Sequence, residues 1–303
     1  MTVLHQLGVP GVDAVVSARA GALRLLRVDG MHLVEPTVDA LEPPGMAGAV
    51  LAPWPNRVDG ALWWHGGREE RLEVTEPELG HANHGLLATR DFDVVRASSG
   101  DLVLETTIEA PPGYPFRLGV RVGYRLRRRG VDVAIAVSNI GTVAAPVAFG
   151  AHPYLRVGDE PADDLRVVID GDRAYRLDAS HIPRAEFAVA GSAWDLRRPR
   201  PLAEVPTHAS FRRAGGRGLR HALIGTEGLS VEVDADPAFR FTQLYLADDF
   251  PADDGPRRAV AIEPMTAPPN GLRSGVGMRM LAPGRTWRAG FRVRLRQGRS
   301  RAR

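Results

Sequence analysis

Alternation of apolar and polar residues with a period of two constrains this chain more than any other feature, and it is clearest from Phe116 to Leu126. Phe116, Leu118, Val120, Val122, Tyr124 and Leu126 fall on one side of an extended backbone, with Arg117, Gly119, Arg121, Gly123 and Arg125 on the other. That is the pattern of a strand buried on one face. Arg128-Arg129-Gly130 can turn it into a second strand, in which Val131, Val133, Ile135 and Val137 alternate with Asp132, Ala134, Ala136 and Ser138, so a long antiparallel hairpin is predicted. The period returns at Leu229, Val231 and Val233, and at Phe291, Val293 and Leu295, where Arg292, Arg294 and Arg296 form a solvated face. Shorter strands are predicted at 14–17, 23–28, 62–64, 71–74, 92–96 and 102–108. With 33 Gly and 24 Pro, few windows are left for helices, and none sustains helical apolar spacing. An all-β antiparallel sandwich follows. No repeat or linker divides the chain, so residues 1–297 are read as one domain, followed by an Arg-rich tail, 298–303, expected to be disordered.

The residues that are missing exclude several chemistries. There is no cysteine, which rules out disulfides, thiol catalysis and cysteine-ligated metal. All 39 basic residues are arginine, which rules out Schiff bases and a lysine-bearing phosphate loop. A net charge of only +3 and dispersed basic clusters give no nucleic-acid motif. Neither a signal peptide nor an apolar stretch of membrane-spanning length is apparent, so no membrane partner and a cytoplasmic location are expected. No dinucleotide fingerprint or Gly-x-Ser-x-Gly elbow occurs, and the pairs Asp248-Asp249 and Asp253-Asp254 lack the ligand spacing of a calcium loop.

Four segments concentrate polar groups. Val147 to Leu155 reads as a strand that delivers His152 beside the small residues Ala148 and Gly150, with Pro153 holding its backbone extended. Ala259 to Pro264 has the same design, with Glu263 in place of the imidazole. Alone, His152 reads equally well as a core histidine and Glu263 as a surface carboxylate; together they form an acid/base pair. Pro53-Trp54-Pro55-Asn56-Arg57 presents an aromatic ring, an amide and a guanidinium, whose rigid fork of donors suits paired oxygens, although a solvated loop reads as well. Gly80 to Gly85 carries His81 and His84, three apart and without a third ligand at metal-site spacing, so no metal is expected.

In this order the segments resemble the aldose 1-epimerase (galactose mutarotase) family over nearly the whole chain. Asn56-Arg57, His84-Gly85, His152-Pro153-Tyr154, Gln243, Glu263-Pro264 and the closing Leu281-Ala282-Pro283-Gly284 match its motifs. The resemblance implies a large β-sandwich with a sugar in an open cleft, and no cofactor. It implies that Glu263 as carboxylate takes the proton of the anomeric hydroxyl while His152 as imidazolium protonates the ring oxygen. At reference pKa values those states coexist near neutrality. His84 and Arg57 would hold the ring oxygen and neighbouring hydroxyls, with Asn56, Tyr154 and Gln243 supplying further hydrogen bonds. One departure stands out: His208 occupies the place where the family carries a sugar-binding Asp, and Asp248 or Asp249 could compensate. The expected activity is interconversion of α and β anomers of a free hexose. A hexose-phosphate 1-epimerase and a non-catalytic sugar-binding protein are the alternatives, and monomer and homodimer both stay open.

Overall fold

The predicted hairpin is the spine of the fold. In the computed structural model, which describes residues 3–38, 42–252 and 255–297, Arg117–Arg127 pairs with Gly130–Asn139 in continuous antiparallel register from Leu118 opposite Asn139 to Arg127 opposite Gly130. These two strands sit within a nine-stranded sheet, between Asp101–Glu109 on one side and Thr286–Gln297 on the other. Arginine and carboxylate face each other on the outer surface of this sheet. Arg117, Arg121 and Arg125 pair with Glu109, Glu105 and Asp101 at 2.7, 2.6 and 2.5 Å, each directly across the strands. Such opposite-charge pairs favour one register, because a slip would set like charges side by side.

A second, eight-stranded sheet contains Arg173–Leu177, His208–Arg212, Phe241–Phe250, Arg257–Met265 and Gly150–Ala151 in that order. The two sheets share one hydrophobic core. Val120, Val122, Ile135, Phe291 and Val293 meet Phe211, Leu244, Leu246, Val260 and Ile262, all nearly inaccessible to solvent. With 52% strand and 6% helix, the fold is the all-β antiparallel sandwich expected from the patterning. Among the described residues the one α-helix is Gly271–Ser274. No helix among them is long and apolar enough to cross a membrane.

Two expectations change. The strand placed at 71–74 is Arg68–Arg71, paired with Leu62–His65, because Gly66 and Gly67 turn the chain with positive φ and fix His65 opposite Arg68. The run from 147 to 155 is not one strand but three, Ala145–Val147, Gly150–Ala151 and Tyr154–Leu155. Its backbone bonds change partner at nearly every step: Ala148 N–H donates to the Pro53 carbonyl, Phe149 N–H to Thr266 Oγ1, and His152 N–H to the Ala49 carbonyl. Residues 298–303, read as a disordered tail, and the pair Asp253-Asp254 lie outside the described residues.

Candidate active site

Period two places the site as well as the core. On Phe241–Phe250 the even residues Leu244 and Leu246 enter the core, while Gln243, Tyr245, Ala247 and Asp249 line a cavity of about 420 Å³ on the other face. His208 on the neighbouring strand and Glu263 on the next line the same cavity. Register aligns them: Ser210, Gln243 and Glu263 form one row across three strands, and His208, Tyr245 and Ala261 the next. A surface cleft of about 720 Å³ lies elsewhere, but among its arginines Arg220 and Arg294 are already paired with Asp234, and no histidine lines it.

The cavity walls come from the loops picked out in the sequence. Asn56 and His84 both hold positive φ, at 61° and 60°, and each braces the other. His84 N–H donates to the Asn56 carbonyl at 3.1 Å, and Asn56 N–H donates to His84 Nδ1 at 3.2 Å. Gly85 is required beside them, because a Cβ there would lie 2.2 Å from the Ala52 carbonyl oxygen. Asn56 Oδ1 accepts from Arg57 N–H at 2.9 Å, which leaves the amide hydrogens to the cavity. Arg57 differs from expectation, since its fork is already engaged: Nε and Nη2 both donate to Glu76 at 2.7 Å. Glu76, far from any motif, thereby neutralises the guanidinium. Trp54 also departs from the expected presentation, since it is buried against Tyr114 with ring centroids 5.8 Å apart.

His152 and Glu263 meet as the paired strand ends suggested. His152 Nε2 lies 3.4 Å from Glu263 Oε1, and both side chains are almost fully buried. Tyr154 stacks on the imidazole at 5.2 Å, and His84 meets its edge at 5.1 Å. His152 Nδ1 and Glu263 Oε2 are buried without a hydrogen-bond partner in the protein. Buried polar atoms normally find a partner in protein or in water. Burial also reverses the expected charges, pushing the His152 pKa down to about 4 and that of Glu263 up to about 8, with Arg57 holding the carboxyl back. The neutral pair is therefore favoured over imidazolium and carboxylate. Both forms carry the same single proton, and they differ only in which residue holds it.

The remaining expected residues divide. Tyr154, Gln243 and His208 line the cavity. Gln243 is held by the Ser210 hydroxyl, which donates to its Oε1, and by its own Nε2, which donates to the Leu244 carbonyl at 3.2 Å. His208 stacks on His181 at 4.1 Å and against Tyr245 at 4.6 Å. Asp248 does not reach the cavity. It is solvent-exposed and pairs with Arg258 at 3.0 Å, while Asp249 takes the lining position. His81 also stands apart: its Nδ1 accepts from Gly60 N–H at 3.1 Å and its Nε2 meets the Ser180 carbonyl at 3.2 Å, so it ties loops together.

Ligand atoms of His84, His152 and Glu263 fall within 4.8 Å of one another, a third partner that sequence spacing could not supply. The hydrogen bonding around His84 suits a sugar oxygen better than a metal ion. Because Nδ1 accepts from Asn56, the ring proton sits on Nε2, where an ion would need a lone pair. The arrangement offers a donor at His84, a donor at Asn56 and a one-proton pair at His152 and Glu263. Asp249 was anticipated only as an alternative to Asp248, and Tyr245 and Glu76 were not anticipated as site residues. Tyr245 and Asp249 share the period of Gln243, whereas nothing in the sequence marks Glu76.

Comparison with known proteins bears on the whole chain. The family model described as aldose 1-epimerase matches residues 9–294. The uncharacterized protein YihR of Escherichia coli K12 is 30% identical over 280 residues, covering 92% of this chain and 88% of that protein. The GalM/aldose epimerase homologue from C. elegans superposes with a TM-score of 0.85 at 16% identity, covering 98% of this chain and all of that one. Galactose 1-epimerase from Lactobacillus acidophilus NCFM gives 0.78 at 17% identity, covering 97% and 95%. At these identities the structural likenesses speak for the fold alone.

Proposed function

The chain belongs to the aldose 1-epimerase family, and from that premise we propose that it interconverts the α and β anomers of a free hexose, with His152 and Glu263 as the proton-transfer pair. The observation that carries this reading is the pair itself: two buried titratable groups 3.4 Å apart that both line the cavity. Glu263 as carboxylate takes the proton of the anomeric hydroxyl and His152 as imidazolium gives one to the ring oxygen. The ring C–O bond breaks and the aldehyde forms. Rotation about the bond to the aldehyde carbon and closure, with the two roles reversed, yields the other anomer. Ring opening leaves neutral His152 and protonated Glu263, the form that burial favours, so the site lies closer in energy to the opened sugar than two solvated groups would. His84 Nε2–H and the Asn56 amide donate to oxygens around the ring, and Tyr154 and Gln243 complete the wall. His208 takes a sugar hydroxyl on the outer side.

A free sugar suits the cavity better than a phosphorylated one, because the guanidinium of Arg57 is matched by Glu76 and brings no surplus positive charge. Catalysis is favoured over simple binding because an orphaned buried acid/base pair costs stability that a binding protein need not spend. The test is polarimetry of an aldose relaxing to anomeric equilibrium, comparing wild type with Glu263→Gln and His152→Ala. Each change is expected to lower kcat by roughly 100- to 10,000-fold. Variants as fast as wild type would remove the pair from its role.

A further inference from the structure

Gln243 stands beside the acid/base pair, and an amide can face a cavity in two ways. One presents a carbonyl oxygen and the other an N–H donor, and a sugar oxygen that is losing its proton needs the second. Two contacts decide between them. The Leu244 carbonyl can only accept, so the amide atom 3.2 Å from it is the nitrogen. The oxygen is then the atom that meets Ser210 Oγ, and the serine hydroxyl must donate. An amide nitrogen carries two hydrogens, of which the Leu244 carbonyl takes one. The other is left for the cavity that Gln243 and Glu263 both line.

Ser210 is 1% exposed and lies behind the cavity wall, at the end of the row it forms with Gln243 and Glu263. Its neighbours Ala209 and Phe211 enter the core, so the contact of this segment with Gln243 is the hydroxyl. Paired strands lie about 4.8 Å apart, so an oxygen seated over the row between Gln243 and Glu263 is within hydrogen-bond reach of both side chains.

We propose that Ser210 is a positioning residue for ring opening: its hydroxyl fixes the Gln243 amide so that an N–H points at the anomeric oxygen from which Glu263 takes the proton. As that proton leaves, negative charge grows on the oxygen, and a donor already aimed at it stabilises the transition state more than the bound sugar. Without the hydroxyl, the buried amide oxygen loses its donor. The amide then turns about its last side-chain bond, whose preference is broad and roughly two-fold, and sets its carbonyl oxygen against the anomeric oxygen.

This inference rests on the epimerase reading, and the measurements separate its failure from that of its premise. In polarimetry of free aldoses, Ser210→Ala is expected to lower kcat about 10-fold and to change KM less than 2-fold. In a Gln243→Met background, which has no amide to fix, the same change should alter kcat less than 2-fold. An equal loss in both backgrounds, or a loss confined to KM, would overturn the positioning role. If Ser210→Ala does not fold, Ser210→Thr and Ser210→Val share a shape and differ in the hydroxyl. A kcat at least 5-fold higher for the Thr variant supports the role, and equal values overturn it. If wild type turns over no sugar at all, the epimerase reading falls and calorimetric titration of the same sugars decides. A Kd raised at least 5-fold by Ser210→Ala, but less than 2-fold in the Gln243→Met background, supports the hold on the amide, and equal changes in both overturn it.

Discussion

His152 and Glu263 hold one proton between them from about pH 4 to about pH 8, the values to which burial moves each group. Because proton exchange with a sugar needs one proton on the pair, kcat/KM should follow a bell, falling below about pH 4 as both groups become protonated and above about pH 8 as both lose their protons. A profile flat from pH 4 to 9 would take both residues out of the reaction. Stability is linked to the same shifts. The folded pKa of Glu263 lies above its unfolded value, so its contribution is full below about 4.5 and is lost as pH rises through about 8. His152 acts at the other end, its contribution full above about 6.5 and lost as pH falls toward about 4. From pH 5 to 8 the melting temperature of wild type should therefore fall faster than that of Glu263→Gln, a relative loss on the order of a few kcal/mol across that range. Parallel curves in a thermal-melt series would show that Glu263 is not held neutral. That His152 and Glu263 come together was legible in the sequence from the small neighbours and the following proline that the two share. Their charge state was not, because it depends on burial by segments more than a hundred residues apart.

At the scale of elements, strands were more legible than loops. Alternation gave the hairpin from 117 to 139 nearly to the residue, because each strand has one wet face and one dry face. The run from 147 to 155 is buried on all sides, so its pattern did not show that its hydrogen bonds break between three partners. For the same reason the Asp at the cavity could be narrowed only to Asp248 or Asp249, since strand phase decides between them at the irregularity following Ala247. The pairing of Arg57 with Glu76 joins loops whose proximity no local signal records. Removing it tests how the loops position the site. Glu76→Gln leaves the guanidinium unmatched beside the pair, which should lower kcat/KM roughly 10-fold through a lost charged hydrogen bond and draw the alkaline limb to lower pH. Unaltered kinetics would make the contact a matter of packing.

The whole molecule is a sandwich in which one sheet is paved with arginine and carboxylate pairs and the other turns a polar face toward the cavity. Composition and period were enough to reach that architecture, because both sheets obey the same alternation. What period alone did not reveal is which face carries the site. That distinction came from the company of His152, Glu263, Asn56 and His84. Thr286–Gln297 is a central strand of the nine-stranded sheet, and the residues that follow it are proposed to be dispensable. Truncation after Gln297 should leave the melting temperature and turnover within error of the full chain, and loss of either would give the tail a role. The most direct test of the central claim is exchange NMR of the wild-type protein with a panel of free aldoses and their 6-phosphates. The expected result is α-to-β exchange far above the buffer rate for at least one free sugar, and slower exchange for its phosphate. No exchange above buffer with any free aldose, across pH 5 to 8, would contradict it.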